Sequence, residues 1–183
     1  MLDQLIADIK SEFPDFKIVY KADSGFMKAI NVFLLIVTFG QMKAFMADYT
    51  TTIGHTVYVP SGWDSWAEQS RVIILRHERV HMRQQKKYSR PVFTFLYLIP
   101  IFPVFLAYWR ARLELEAYTE TIQATVDLHG TAMVLSHDFK NKLINQFTTS
   151  AYGWMWPFKG TVTKWIDQAV DQVVDAYAKG SKQ

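Results

Sequence analysis

The segment that most limits how this chain can fold is His77-Glu78-Arg79-Val80-His81. Residues four apart on an α-helix project from one face, so the two imidazoles can converge on one point. Glu78, one step round the helix, can reach a molecule at that point without pointing straight at it. Ile73, Ile74 and Leu75 lead into the segment and supply an apolar approach that half-buries its first turn. Two imidazoles leave a cation site incomplete, so the fold has to bring a further donor from elsewhere in the chain.

The choice of donors is narrow. The 183 residues contain no cysteine, which removes disulfide frameworks, thiolate nucleophiles and cysteine-based zinc sites and leaves histidine and carboxylate as strong ligands. No third histidine follows closely, but Arg112-Leu113-Glu114-Leu115-Glu116-Ala117-Tyr118 offers two carboxylates on a later helical stretch, Glu114 standing 33 residues beyond His81. The neighbours of Glu114 at helical spacing, Ala107, Ala111, Ala117, Tyr118, Thr121 and Thr125, form a mostly small stripe that lets another helix approach closely. Those of Glu116, which include Trp109, Arg112, Glu120 and Gln123, are bulkier and more polar. Glu114 is therefore favoured, with Glu116 as the alternative.

His-Glu-x-x-His followed by Glu-x-x-Ala resembles the gluzincin metallopeptidases, among them the thermolysin and CAAX prenyl protease types, and also small zincin-like proteins of bacteria and phages. The resemblance covers roughly residues 70 to 125. It implies a Zn2+ ion held by His77, His81 and Glu114, with Glu78 as general base for a water that attacks a peptide carbonyl. It also implies an α+β, predominantly α fold: a small β-hairpin or sheet before the active-site helix, then a second ligand-bearing helix, in one zincin-like domain over residues 1–183. Those families usually carry an aspartate four residues after the glutamate ligand; this chain has Tyr118 there, while Glu116 and Glu120 keep a carboxylate pair at the same spacing. The alternative function is a catalytically inactive zincin-like module that binds a partner or a membrane. A third reading is a structural protein in which the motif is coincidental.

Apolar residues at helical spacing predict a helix over 2–13, closed by Pro14. A short strand is expected at 16–20 before the Asp23-Ser24-Gly25 turn, and the apolar run 26–39 is read as helical at its start. Strands at 44–49 and 55–59, linked through threonines with a bend at Ile53-Gly54, suggest a β-hairpin. In zincins an edge strand at this place often receives a substrate backbone. A long helix through about 88, capped by Asp64 or Ser65, carries the motif; further helices are expected at 104–129, 132–148 and 162–178, with Gly130 as a left-handed exit.

Val92 to Trp109 contains no charge, and as a helix its 18 residues would reach about 27 Å. A single crossing would put the histidines and Glu114 on opposite sides of a bilayer, and Pro100 and Pro103 divide the run. A buried hairpin is the favoured reading, with peripheral membrane contact through 92–109, rimmed by Arg90, Arg110 and Arg112, as the other.

With 20 basic against 17 acidic residues the formal charge is +3, too small to announce a nucleic-acid partner; the expected partner is a peptide or protein substrate. The start Met1-Leu2-Asp3-Gln4-Leu5 lacks the basic residues of a secretory leader, so a cytoplasmic location is expected, with membrane association left open. Tyr118, His129, His137 and Tyr152 are candidate oxyanion donors. His55 is read as a solvated turn histidine, the arginines and lysines of the motif helix as a solvated face, and Trp154, Trp156 and Phe158 as packing for the last helix.

Overall fold

The computed structural model describes residues 1–37, 40, 45–88, 105–149 and 155–180. Most of the apolar run from Val92, with Arg90, lies outside them, as do Ala44, Tyr152 and Trp154. The described chain is mostly helical with one small three-stranded sheet, and it divides into two compact units, Met1–Met82 and Arg83–Gln183.

The first unit opens with α1 (Leu2–Glu12), which buries Leu2 and Ile9 and is stopped at Phe13 just before Pro14. Strand β1 (Lys17–Tyr20) follows, then a 3-10 turn at Lys21–Asp23 and α2 (Gly25–Val37). Strands β2 (Thr51–Ile53) and β3 (Thr56–Val59) form a hairpin about Gly54-His55, where Gly54 takes φ +61°. Positive φ at that position suits a tight turn and favours glycine.

The sheet order is β1-β3-β2. β3 is central, parallel to β1 with Lys17 opposite Thr56, and antiparallel to β2 with Thr52 opposite Val57. A parallel neighbour requires a long crossover, and α2 lies within it. Val57 and Val59 point inward and are fully buried, as period-two alternation demands of a half-buried strand. The first arm of the hairpin differs from expectation: Phe45 begins a turn, and the strand consists of the threonines expected to be the link. Threonine is β-branched and favours extended backbone, and Gly54 closes the bend directly after it.

After a 3-10 turn at Trp63–Ser65 that buries Trp63, α3 (Glu68–Tyr88) begins, and the boundary between the units falls inside it. The helix starts later than Asp64 or Ser65 would set it. Its first residue ties two helix starts together: Glu68 Oε1 accepts the Leu2 N–H at 2.9 Å and lies 3.3 Å from the terminal ammonium. The Leu2 N–H, then the ammonium, hold the Glu68 carboxyl below its usual range. Further along, Arg79 grips one oxygen of Glu12 with Nε at 2.7 Å and Nη2 at 2.6 Å.

The second unit contains α4 (Phe105–His129), α5 (Thr131–Leu135), α6 (His137–Thr148) and α7 (Lys159–Gly180). Its core is built from Ile122 and Val126 of α4, Phe147 of α6, and Val162, Ile166 and Val170 of α7. Gly130 has the positive φ expected at that exit, +80°, but with ψ 172° it turns into an extended, glycine-only conformation rather than a left-handed helical one. The single helix expected over 132–148 is two helices, because Ser136 leaves helical geometry (ψ 143°) and its Oγ accepts the Phe139 N–H to cap α6. Among the described residues no helix is long and apolar enough to cross a membrane.

Candidate metal centre

On α3 the buried residues fall into two adjoining rows. Leu75, Glu78, Met82 and Gln85 follow one another at helical spacing, and beside them run His77, His81 and Gln84. The hydrophobic members of the first row draw Glu78 out of water, leaving it 6% exposed, while His81 is buried and His77 half-buried. This is how a strongly polar helix brings Glu78 and His81 inside.

The Nε2 atoms of His77 and His81 lie 3.2 Å apart, with the rings edge to face. Two nitrogens each about 2.05 Å from a tetrahedral ion are separated by about 3.3 Å. The spacing therefore suits one shared cation, and the imidazoles meet through the nitrogens a metal would take.

Glu78 is held at both oxygens. Thr50 Oγ1 donates to Oε1 at 2.5 Å and Thr52 Oγ1 to Oε2 at 2.7 Å. Positions two apart on an extended chain face the same side, so one short stretch of backbone delivers both hydroxyls. A carboxylate has about four lone-pair sites, so the clamp fixes its orientation and leaves capacity to take a proton. The threonines are site residues that the sequence reading assigned only to a link. Their signal was the Thr50-x-Thr52 alternation just before the bend.

A buried cation accompanies this carboxylate in the first unit. Lys21 is fully buried; its Nζ donates to the Phe45 carbonyl at 2.7 Å and sits 3.7 Å from the centre of the Phe45 ring. Burial lowers its pKa to about 8, against a smaller opposing pull from the charge of Glu78. Nothing in the sequence patterns singled out Lys21.

In the second unit Glu114 is 1% exposed on α4, whereas Glu116 is exposed. Gln84, near the end of α3, donates through Nε2 to the Leu113 carbonyl and to Glu116 Oε2, each at 2.9 Å. Ala111, Ala117 and Thr125 of the expected small-residue stripe are buried. A carboxylate taken so completely out of water needs cationic or hydrogen-bonding company. His77, His81 and Glu114 each offer one ligand atom, and these atoms all lie within 4.8 Å of one another, so the group could hold a metal ion. The donor set, two imidazoles and one carboxylate, is that of catalytic rather than structural zinc.

The other candidates are placed as follows. Tyr118 is buried, its ring 5.3 Å from that of Phe147. His129 is exposed, and the exposed His137 contacts Asn141. His55 bonds through Nδ1 to Asp15 at 2.5 Å and leans on the Phe13 ring, which gives it a structural place at the hairpin turn. Of the basic face, Arg79 pairs with Glu12, and Arg71 lies 3.7 Å from Asp64. Trp156 stacks on Trp165 of α7, as expected for packing the last helix. No protein-family model, curated protein or solved structure matches the chain.

Proposed function

We propose that this chain is a zinc-dependent metallopeptidase of zincin-like fold, in which His77, His81 and Glu114 hold the ion and Glu78 is the general base. The observation that carries the reading is the convergence of the three ligand atoms. The hydroxyl clamp on the adjacent Glu78 supports it. Glu114 is preferred to Glu116 because it is the buried carboxylate, while Glu116 is exposed and already accepts from Gln84.

When bound, zinc supplies a Lewis acid that acidifies water and polarises a carbonyl. The protein's own part is positional. Thr50 and Thr52 stop the Glu78 carboxylate from rotating, so a free lone pair stays aimed at the attacking water. Glu78 takes a proton from that water and delivers it to the amine nitrogen released when the peptide C–N bond breaks. Burial of Glu78 and His81 keeps competing solvent from their polar atoms.

The test is metal stoichiometry with peptide hydrolysis. Wild type and Glu116→Ala should retain about one zinc per chain after dialysis; His77→Ala and Glu114→Ala should retain little, by the usual loss of one ligand in three. Glu78→Gln should keep zinc and lose roughly 100-fold or more in hydrolysis. Wild type that retains no zinc refutes the site. Chelator-insensitive hydrolysis, or hydrolysis unchanged in Glu78→Gln, refutes the mechanism.

A second reading, a zincin-like module that binds without hydrolysing, is favoured by Tyr118, a core residue against Phe147 where the resembled families carry an aspartate. It predicts weak zinc retention and no hydrolysis.

A further inference from the structure

α2 is apolar on the side it buries and on the side it exposes. Met27 is fully buried and Leu34 is half-buried towards the same side. On the opposite side Phe26, Ala29, Val32, Phe33 and Ile36, at steps of three, three, one and three residues, form a continuous exposed arc. Phe26 is 57% exposed, Val32 56%, Phe33 53% and Ile36 69%. These four present roughly 400 Å² of aromatic and aliphatic surface, comparable to the largest apolar patch of an ordinary monomer.

We propose that this face of α2 is a membrane-docking surface that lies in the interface of an anionic phospholipid bilayer. A helix that is apolar all round belongs in a core or in lipid, and here one side is open. The open arc covers one side of the helix while Met27 on the other side is fully buried, the arrangement of a helix that lies in the interface plane with its apolar face in the lipid. Lys28, exposed at the edge of the arc, is the helix's one charged residue. An ammonium group at such an edge reaches a lipid phosphate while its stem lies along the acyl boundary.

A second copy of the chain fits less well. A stable protein interface needs about 800 Å² per partner and about one hydrogen bond per 100 to 200 Å². The arc offers about half that area, and its side chains carry neither donors nor acceptors. Lipid requires none. The inference does not depend on the metal reading.

The absence of cysteine allows a direct test with the full chain. Phe33→Cys and, as a control on exposed α1 surface, Lys10→Cys are labelled with an environment-sensitive fluorophore and mixed with vesicles of phosphatidylcholine, alone or with one quarter phosphatidylglycerol. The label at 33 should shift to the blue with the anionic vesicles, and the label at 10 should not. Partition of unlabelled protein, read by flotation, should fall at least tenfold in Phe33→Ser/Ile36→Ser, with circular dichroism and thermal midpoint unchanged. Lys28→Ala should weaken binding to the anionic vesicles alone. Wild-type partition retained by the folded double variant overturns the proposal, as does failure of wild type to float. A blue shift at 33 that grows with protein concentration without vesicles also overturns it, by assigning the face to a second copy.

Discussion

Replacing Lys21 with methionine should remove a rise in stability between about pH 8 and pH 10. The side chain is fully buried and its pKa is lowered from 10.5 to about 8, because the loss of hydration outweighs the charge of Glu78. A base with a depressed folded-state pKa binds fewer protons when folded than when unfolded across the window between the two values. Stability must therefore rise with pH through that window. Below pH 8 the full cost of burying the charge is present, about 3 kcal/mol at 1.36 kcal/mol per pKa unit. Roughly 1 kcal/mol of it should be recovered by pH 9, and about 2 to 3 by pH 10. Methionine has similar length and no proton to lose, so the difference in unfolding free energy between wild type and Lys21→Met isolates this term. Other titrating groups cancel. Urea denaturation at pH 7, 9 and 10 measures it, and a difference that stays flat within about 0.5 kcal/mol would refute the account of a charge held against its desolvation.

Two further substitutions test local devices. Thr52→Val keeps the shape and removes one donor from the buried Glu78 carboxylate, so it should destabilise by about 1 to 3 kcal/mol in chemical denaturation, and far less when Glu78 is already leucine. Ser136→Ala removes the α6 cap and should cost about 1 kcal/mol, seen as a lowered thermal midpoint, with no change in zinc retention.

Much of the fold could be read from residue patterns, because helices with a strong apolar rhythm announce themselves. α1 and α7 fall within a few residues of their expected bounds; α4 does so with a weak apolar rhythm, because Gly130 marks its end with a positive φ. The errors share a cause. At 44–59 the residues expected to link two strands form β2, and at Ser136 a side-chain cap divides what periodicity ran together. One turns on the extended preference of β-branched threonine and the other on a side-chain cap, and hydropathy registers neither.

The same limit governs the candidate site. His77, Glu78 and His81 were legible because their spacing is fixed by one helix, and the small neighbours of Glu114 gave a reason to prefer it. Thr50, Thr52 and Lys21 gather round Glu78 or within reach of its charge only through the sheet and the crossover, and no short-range rhythm encodes a meeting of residues almost 30 and almost 60 positions away.

The central strand is also the last of the three to be synthesised, and this sets an order of assembly. β2 and β3 are joined by a two-residue bend and can zip as soon as both exist, whereas Lys17 must wait for Thr56, 39 positions later. Closing so long a loop before any ladder bond forms is slow, whereas the hairpin closes over two residues. Within the first unit the hairpin should therefore form first, and the N-terminal strand should capture a hairpin already made.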